Sequence, residues 1–155
     1  MQSISVSKLA ALGVSTLVLG FASSQFLVGT GSAFPVAPAS LALSLAVIGI
    51  GVFAASFPIR KYAKGRERGL AVKRPNPLVA FRILLLARAS VITSAGFLGW
   101  FLGQLLWLNT VGNPVEALLV ATLMSVGASA LMLLLGVLAE LNCKVPKDPD
   151  GEVKS

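Results

Sequence analysis

The sequence predicts an all-α membrane protein, with four transmembrane helices in an up-down bundle and both termini on the cytoplasmic side. Three observations predict it. Of 155 residues, 55% are hydrophobic and only 12% charged, with a mean hydropathy of +0.85; soluble domains carry about a quarter charged residues. The apolar residues fall in blocks long enough for a helix to cross ~30 Å of hydrocarbon, where a soluble core would alternate apolar and polar faces. Most of the cations gather between the second and third blocks, a distribution that orients a polytopic chain. The chain reads as one transmembrane domain over residues 1–155, with spans at 9–28, 39–57, 83–108 and 115–141.

The first span, Leu9 to Val28, follows a short polar start containing Lys8. Thr16, Gly20 and Ser24 recur at four-residue spacing, which gives one small face for close packing. Gly31-Ser32-Ala33 has the small-x-small form of a signal-cleavage site, but the apolar run exceeds the ~7–15 residues of a signal core, which favours a retained span. Thr30 to Pro38 is an uncharged turn, closed by Pro35 and Pro38. The second span, Ala39 to Phe57, has Gly49, Gly51 and Ala55 near its end, and Pro58 marks its exit.

Residues 60–75 form the expected basic cytoplasmic loop, with Arg60, Lys61, Lys64, Arg66, Arg68, Lys73 and Arg74 against the single acid Glu67. The two turns on the opposite side, Thr30–Pro38 and Asn109–Pro114, contain no lysine or arginine. The asymmetry puts this loop, Lys8 and the Lys144/Lys147 tail inside. A cation near an anionic leaflet contributes about 1 kcal/mol, so these seven are candidate contacts for anionic headgroups.

Asn76-Pro77 reads as a helix cap followed by proline at the first helical position. The third helix then runs to Leu108, with Arg82 at the water boundary and Trp107 suited to the far interface. Asn113-Pro114-Val115-Glu116 repeats the device, with Glu116 at the third position of a capping box. The fourth span, Val115 to Leu141, carries a ladder of small residues at Ala117, Ala121, Ser125 and Ser129. Residues 142–155 read as a polar cytoplasmic tail, where Pro146 and Pro149 prevent a continued helix.

Two charges interrupt the apolar blocks. With Arg88 set to zero on a helical wheel, Ala95 falls at about −20°, Gly99 at about +20° and Gly103 at about +60°. Arg88 thus shares the side of the third helix that holds its glycine seam and faces protein. With Glu140 set to zero, Gly136 falls at about −40°, Leu133 at about +20°, Ser129 at about −20° and Thr122 at about 0°. Apart from Leu133, Glu140 thus shares its face with small and polar residues. Both charges lie near the cytoplasmic end of antiparallel neighbours, so the expectation is an Arg88–Glu140 pair that locks the third and fourth helices in register.

One stretch resembles a known family. Arg74-Pro-Asn-Pro77-Leu78, Ala80, Arg82, Leu86-Ala-Arg88-Ala-Ser90 and Gly99…Gly103, then Glu140-Leu-Asn-Cys143 and Pro146-Lys-Asp-Pro149, are similar to the actinobacterial membrane proteins of domain-of-unknown-function family 3180. The resemblance implies four spans in an actinobacterial plasma membrane and brings no activity with it. It places Cys143 in the family-like stretch.

The chain has one cysteine and no histidine, which excludes an internal disulfide, a Cys/His zinc site and histidine-ligated haem. No aspartate precedes Asp148, and the spans contain no paired carboxylates, so no catalytic, cofactor or metal site is expected. The net charge of +7 would suggest nucleic acid in a soluble domain, but here the cations flank membrane spans and no nucleic-acid partner is expected. The expected function is that of a non-enzymatic accessory or scaffold subunit, packing against other membrane proteins. The alternative is a small homo-oligomeric transporter or channel, its path lined by Gln25, Ser90, Thr93, Ser94, Gln104 and Ser125.

Overall fold

In a computed structural model, residues 6–67, 77–112 and 115–143 are described, and they form four helices and no strand. These are α1 (Val6–Gly29), α2 (Ala39–Glu67), α3 (Pro77–Thr110) and α4 (Glu116–Cys143). Each contains an apolar stretch long enough to cross a membrane: Ser7–Gly29, Ala39–Ile59, Phe81–Thr110 and Glu116–Cys143. The protein is therefore a multi-pass, all-α membrane protein.

Two boundaries differ from the sequence reading. The second helix does not stop where its apolar run stops; it continues to Glu67 with Pro58 inside it. Arg60, Lys61, Lys64 and Arg66 therefore belong to a helical extension, although they read as loop residues. At the other turn, the carbonyl of Val115 accepts the first α4 hydrogen bonds, from Leu118 and Leu119. Glu116 is consequently the first helical residue, where an acid still complements the positive end of the helix dipole. The capping box read around Asn113 and Pro114 involves residues outside those described. Pro77 does begin α3, as its fixed φ and missing N–H favour.

Consecutive helices are not all neighbours. α3 packs against α1 and α4, α4 packs against α2, and α2 touches α3 more lightly, while α1 and α2 make no helix–helix contact among the described residues. The order across the layer is thus α1, α3, α4, α2. The α1–α2 connection can separate its helices because α1 ends sharply. Gly31 has φ +79°, its N–H donates to Val28 O, and Ser32 N–H donates to Leu27 O. That is a Schellman closure with glycine in the left-handed position. The following loop is tied across the layer to α3. Phe34 stacks on Trp107 at 5.4 Å, and Gln104 Nε2 donates to Pro35 O at 3.2 Å. Trp107 Nε1 in turn donates to Gln25 Oε1 on α1 at 2.7 Å.

The interior mixes small polar residues with apolar ones such as Leu45, Phe101 and Met132, and the exterior is large and apolar. Ser24, Ser56, Ser94 and Ser129 are fully buried, whereas Phe26 is 70% exposed and Leu43 and Met124 are each 67% exposed. In lipid there is no hydrophobic gain from burying leucine, so close contact and hydrogen bonding drive helix association. The buried hydroxyls satisfy themselves on their own helices. Ser24 donates to Gly20 O, Ser94 to Val91 O, Ser125 to Ala121 O and Ser129 to Ser125 O, at 2.8–3.0 Å.

Glycine sets the α1–α3 separation. A methyl group on Gly99 would collide with Gly13 O and Thr16 Oγ1, and on Gly103 with Leu17 O, lying 2.7 Å from Phe21 N. From the other side, one on Gly20 would collide with Trp100 O and lie 3.1 Å from Trp100 Cα. Apart from Thr16 Oγ1, the obstacles are backbone atoms, which cannot rotate away. Gly103→Val is therefore expected to separate α1 from α3 and lower stability by at least the ~1–3 kcal/mol typical of overpacking. Gly51→Ala, at a position with nothing within 4 Å of an added methyl group, is expected to be neutral. Thermal unfolding in detergent checks the contrast.

Candidate functional site: a polar cluster where three helices meet

Near one end of the layer α2, α3 and α4 come together through small residues. Val52, Ala87 and Ala139 form a compact buried cluster, with Ala87 and Ala139 fully buried. Gly136 lets α4 sit close to α3. A methyl group there would lie 3.0 Å from Val91 Cγ2 and 3.7 Å from Ala87 O. Each of the two intramembrane charges follows directly on one of the buried alanines.

Arg88 Nε lies 3.7 Å from Glu140 Oε1, and the two side chains are 25% and 11% exposed. The helical register accounts for the encounter. Arg88 sits between the two packed flanks of α3, with Gly99 and Gly103 turned to α1 and Ala87 and Val91 turned to α4. Glu140 shares its face of α4 with buried Thr122, Ser129 and Gly136. A second tie lies beside the pair. Asn142 Nδ2 donates to Ser56 Oγ at 3.3 Å, and Ser56 Oγ donates to Phe53 O at 2.7 Å. Polar bonds thus join α3 to α4 and α4 to α2 at the same end.

The sequence reading did not single out Asn142 or Ser56. Asn142 was assigned to the tail, but α4 continues to Cys143, which carries Asn142 round to α2. The signal available was the i, i+2 pairing of Glu140 with an amide at the end of an apolar run. Cys143, half-buried, is the last residue of α4. The other nominated residues lie apart from this cluster. Arg82 and Lys61 are exposed on α3 and α2. Arg60, Lys64 and Arg66 lie on the α2 extension, their side chains outside those described, and Arg68, Lys73 and Arg74 lie outside the described residues altogether.

Chemically, the cluster is a charge pair beside one amide-to-hydroxyl bond, Asn142 to Ser56, and one hydroxyl-to-carbonyl bond, Ser56 to Phe53 O. Among the described residues no three His, Cys, Asp or Glu side chains converge as a metal ion would need. The arrangement links α3 to α4 and α4 to α2. Removing one member of such a pair strands its partner's charge, at about 1–3 kcal/mol for a buried polar group. Arg88→Met and Glu140→Leu are each expected to destabilise by that order. The double variant is expected to be less destabilised than the sum of the two, with a coupling of ~0.5–3 kcal/mol in a double-mutant cycle. Strict additivity would mean that the pair contributes nothing.

No curated protein and no solved structure matches this chain. The family model described as "Protein of unknown function (DUF3180)" matches residues 9–147, a range that takes in all four helices and the polar cluster. The chain therefore belongs to the DUF3180 family.

Proposed function

We propose that this protein is a non-enzymatic accessory or scaffold subunit of the plasma membrane, packed against another membrane protein, with its basic segment and both termini at the cytoplasmic face. The observation that carries the reading is how the intramembrane polar side chains are used. Gln25 accepts from Trp107, and Gln104 donates to Pro35 O. Ser90, Ser94 and Ser125 turn back to carbonyls of their own helices. Of the six side chains that a transport path was expected to use, Gln25 and Thr93 are exposed, Gln25 while bonded to Trp107 and Thr93 beside Gly96, Phe97 and Trp100 on α3. Polar groups engaged in packing favour a rigid packing unit over a conduction path, which needs polar side chains turned toward the permeant.

The orientation rests on the charge asymmetry of the sequence. The basic segment begins on the α2 extension, and the two opposite turns lack lysine and arginine. Exposed Lys61 continues the basic character onto the end of α2, within reach of anionic headgroups.

Affinity purification at native expression in mild detergent, with particle mass and mass spectrometry, tests the proposal. The expected result is a stoichiometric complex with a larger membrane protein, unchanged in composition by Gln104→Leu or Ser94→Val variants that still fold. A homogeneous homo-oligomer that conducts ions or solute in liposomes would overturn it in favour of the transporter.

A further inference from the structure

α2 and α4 touch closely at mid-membrane, where a methyl group on Gly49 would lie 3.0 Å from Met132 Cα. On the side of this contact toward the α3–α4 turn the two helices leave an open groove of about 1090 Å³ between them. Its walls combine small residues, among them Ala42 and Ala46 of α2 and Ala117 and Ala121 of α4, with the apolar side chains of Leu43, Val120, Met124 and Leu131, and Glu116 stands at its rim.

Two features choose the occupant. The first is length. Along α2 the groove runs ~15 Å from Ala39 to the Gly49 contact, about half of the ~30 Å hydrocarbon thickness. Along α4 it runs ~22 Å from Glu116 to Leu131, so that the α4 wall reaches beyond one leaflet's hydrocarbon to the headgroup level. The groove thus extends through one leaflet and is closed at its inner end by the Gly49–Met132 contact. A spanning partner helix would need a trough through both leaflets, whereas a lipid of the adjacent leaflet needs this length and no more. The second is charge. Glu116 is exposed, and the turns on this side, Thr30–Pro38 and Asn109–Pro114, have no lysine or arginine. A second copy of the chain brings no cation to this level, so the counter-charge comes from another molecule.

We infer that the α2–α4 groove binds an amine-headed phospholipid of that leaflet, with an acyl chain between its walls and the headgroup ammonium on the Glu116 carboxylate. Acyl chains are equally apolar in the groove and in bulk lipid. Selectivity therefore comes from close contact with the walls and from the ion pair.

The full-length protein is reconstituted in vesicles of equal parts dioleoyl phosphatidylethanolamine and dioleoyl phosphatidylglycerol, then extracted in mild detergent. Native mass spectrometry counts the lipids that remain bound. Phosphatidylglycerol held by the basic segment is common to all variants and cancels in the comparison. Glu116→Gln is expected to keep a bound lipid but lower the ethanolamine-to-glycerol ratio about 1.5- to fivefold, the range of a surface ion pair. Gly127→Leu, at a position where an added Cβ meets nothing within 4 Å, is expected to fill the groove and lose the retained ethanolamine lipid, with its melting temperature measured alongside to establish that it folds. A ratio unchanged in either variant, or a dimer mass that replaces the bound lipid, would overturn the inference.

Discussion

The contact of α3 with α1, backbone against backbone, is the constraint on which the other arrangements depend. Gly99 and Gly103 admit Gly13, Thr16 and Leu17 to a separation that any side chain would prevent. With one flank of α3 given to α1, its other flank, at Ala87 and Val91, is left for α4, and α2 packs mainly on α4 while touching α3 lightly. The outcome is a layer in which α3 is the hub. The loop from α1 to α2 has to cross α3, and its bonds to Gln104 and Trp107 hold it there.

Polar side chains act in this fold as spacers and clasps. A serine in a membrane helix is small enough for close approach and can bond its own carbonyl i−3 or i−4, so it is buried without an orphaned hydroxyl. At the two ends of the layer the polar groups reach between helices: Trp107 to Gln25 at one end, Arg88 to Glu140 and Asn142 to Ser56 at the other. Glycine and serine at mid-membrane set the distance, and the terminal polar bonds link the helices. The Arg88–Glu140 geometry explains how two charges are tolerated in a 16.0 kDa chain that is otherwise nearly uncharged within its spans.

Much of this was legible from spacing alone. Four apolar blocks and an α3 seam at Gly99 and Gly103 follow from a period of 3.6 residues and the need for small residues at membrane helix contacts. The same angles put Arg88 and Glu140 on protein-facing sides. Which helix each seam would meet was not legible, because small residues mark a close contact without naming its partner. The first two spans read as a hairpin, and α3 intervenes instead. The continuation of α2 past Pro58 was also hidden, since proline and a polarity change both signal an end that neighbouring residues can override. The ladder of small residues on α4 is divided in the structure: Ser125 and Ser129 are buried against protein, while Ala117 and Ala121 line the groove.

The claim that α3 is the hub, with α1 and α2 apart, is tested most directly by disulfide trapping in native membranes. In a Cys143→Ser background, Thr16→Cys is paired either with Gly96→Cys on α3 or with Val52→Cys on α2. A methyl group on Gly96 would lie 4.0 Å from Thr16 Cγ2, close to disulfide geometry. The packing order predicts rapid intramolecular cross-linking of the first pair and none of the second. Cross-linking of Thr16→Cys to Val52→Cys without the α3 link would contradict the order of helices on which this account is built.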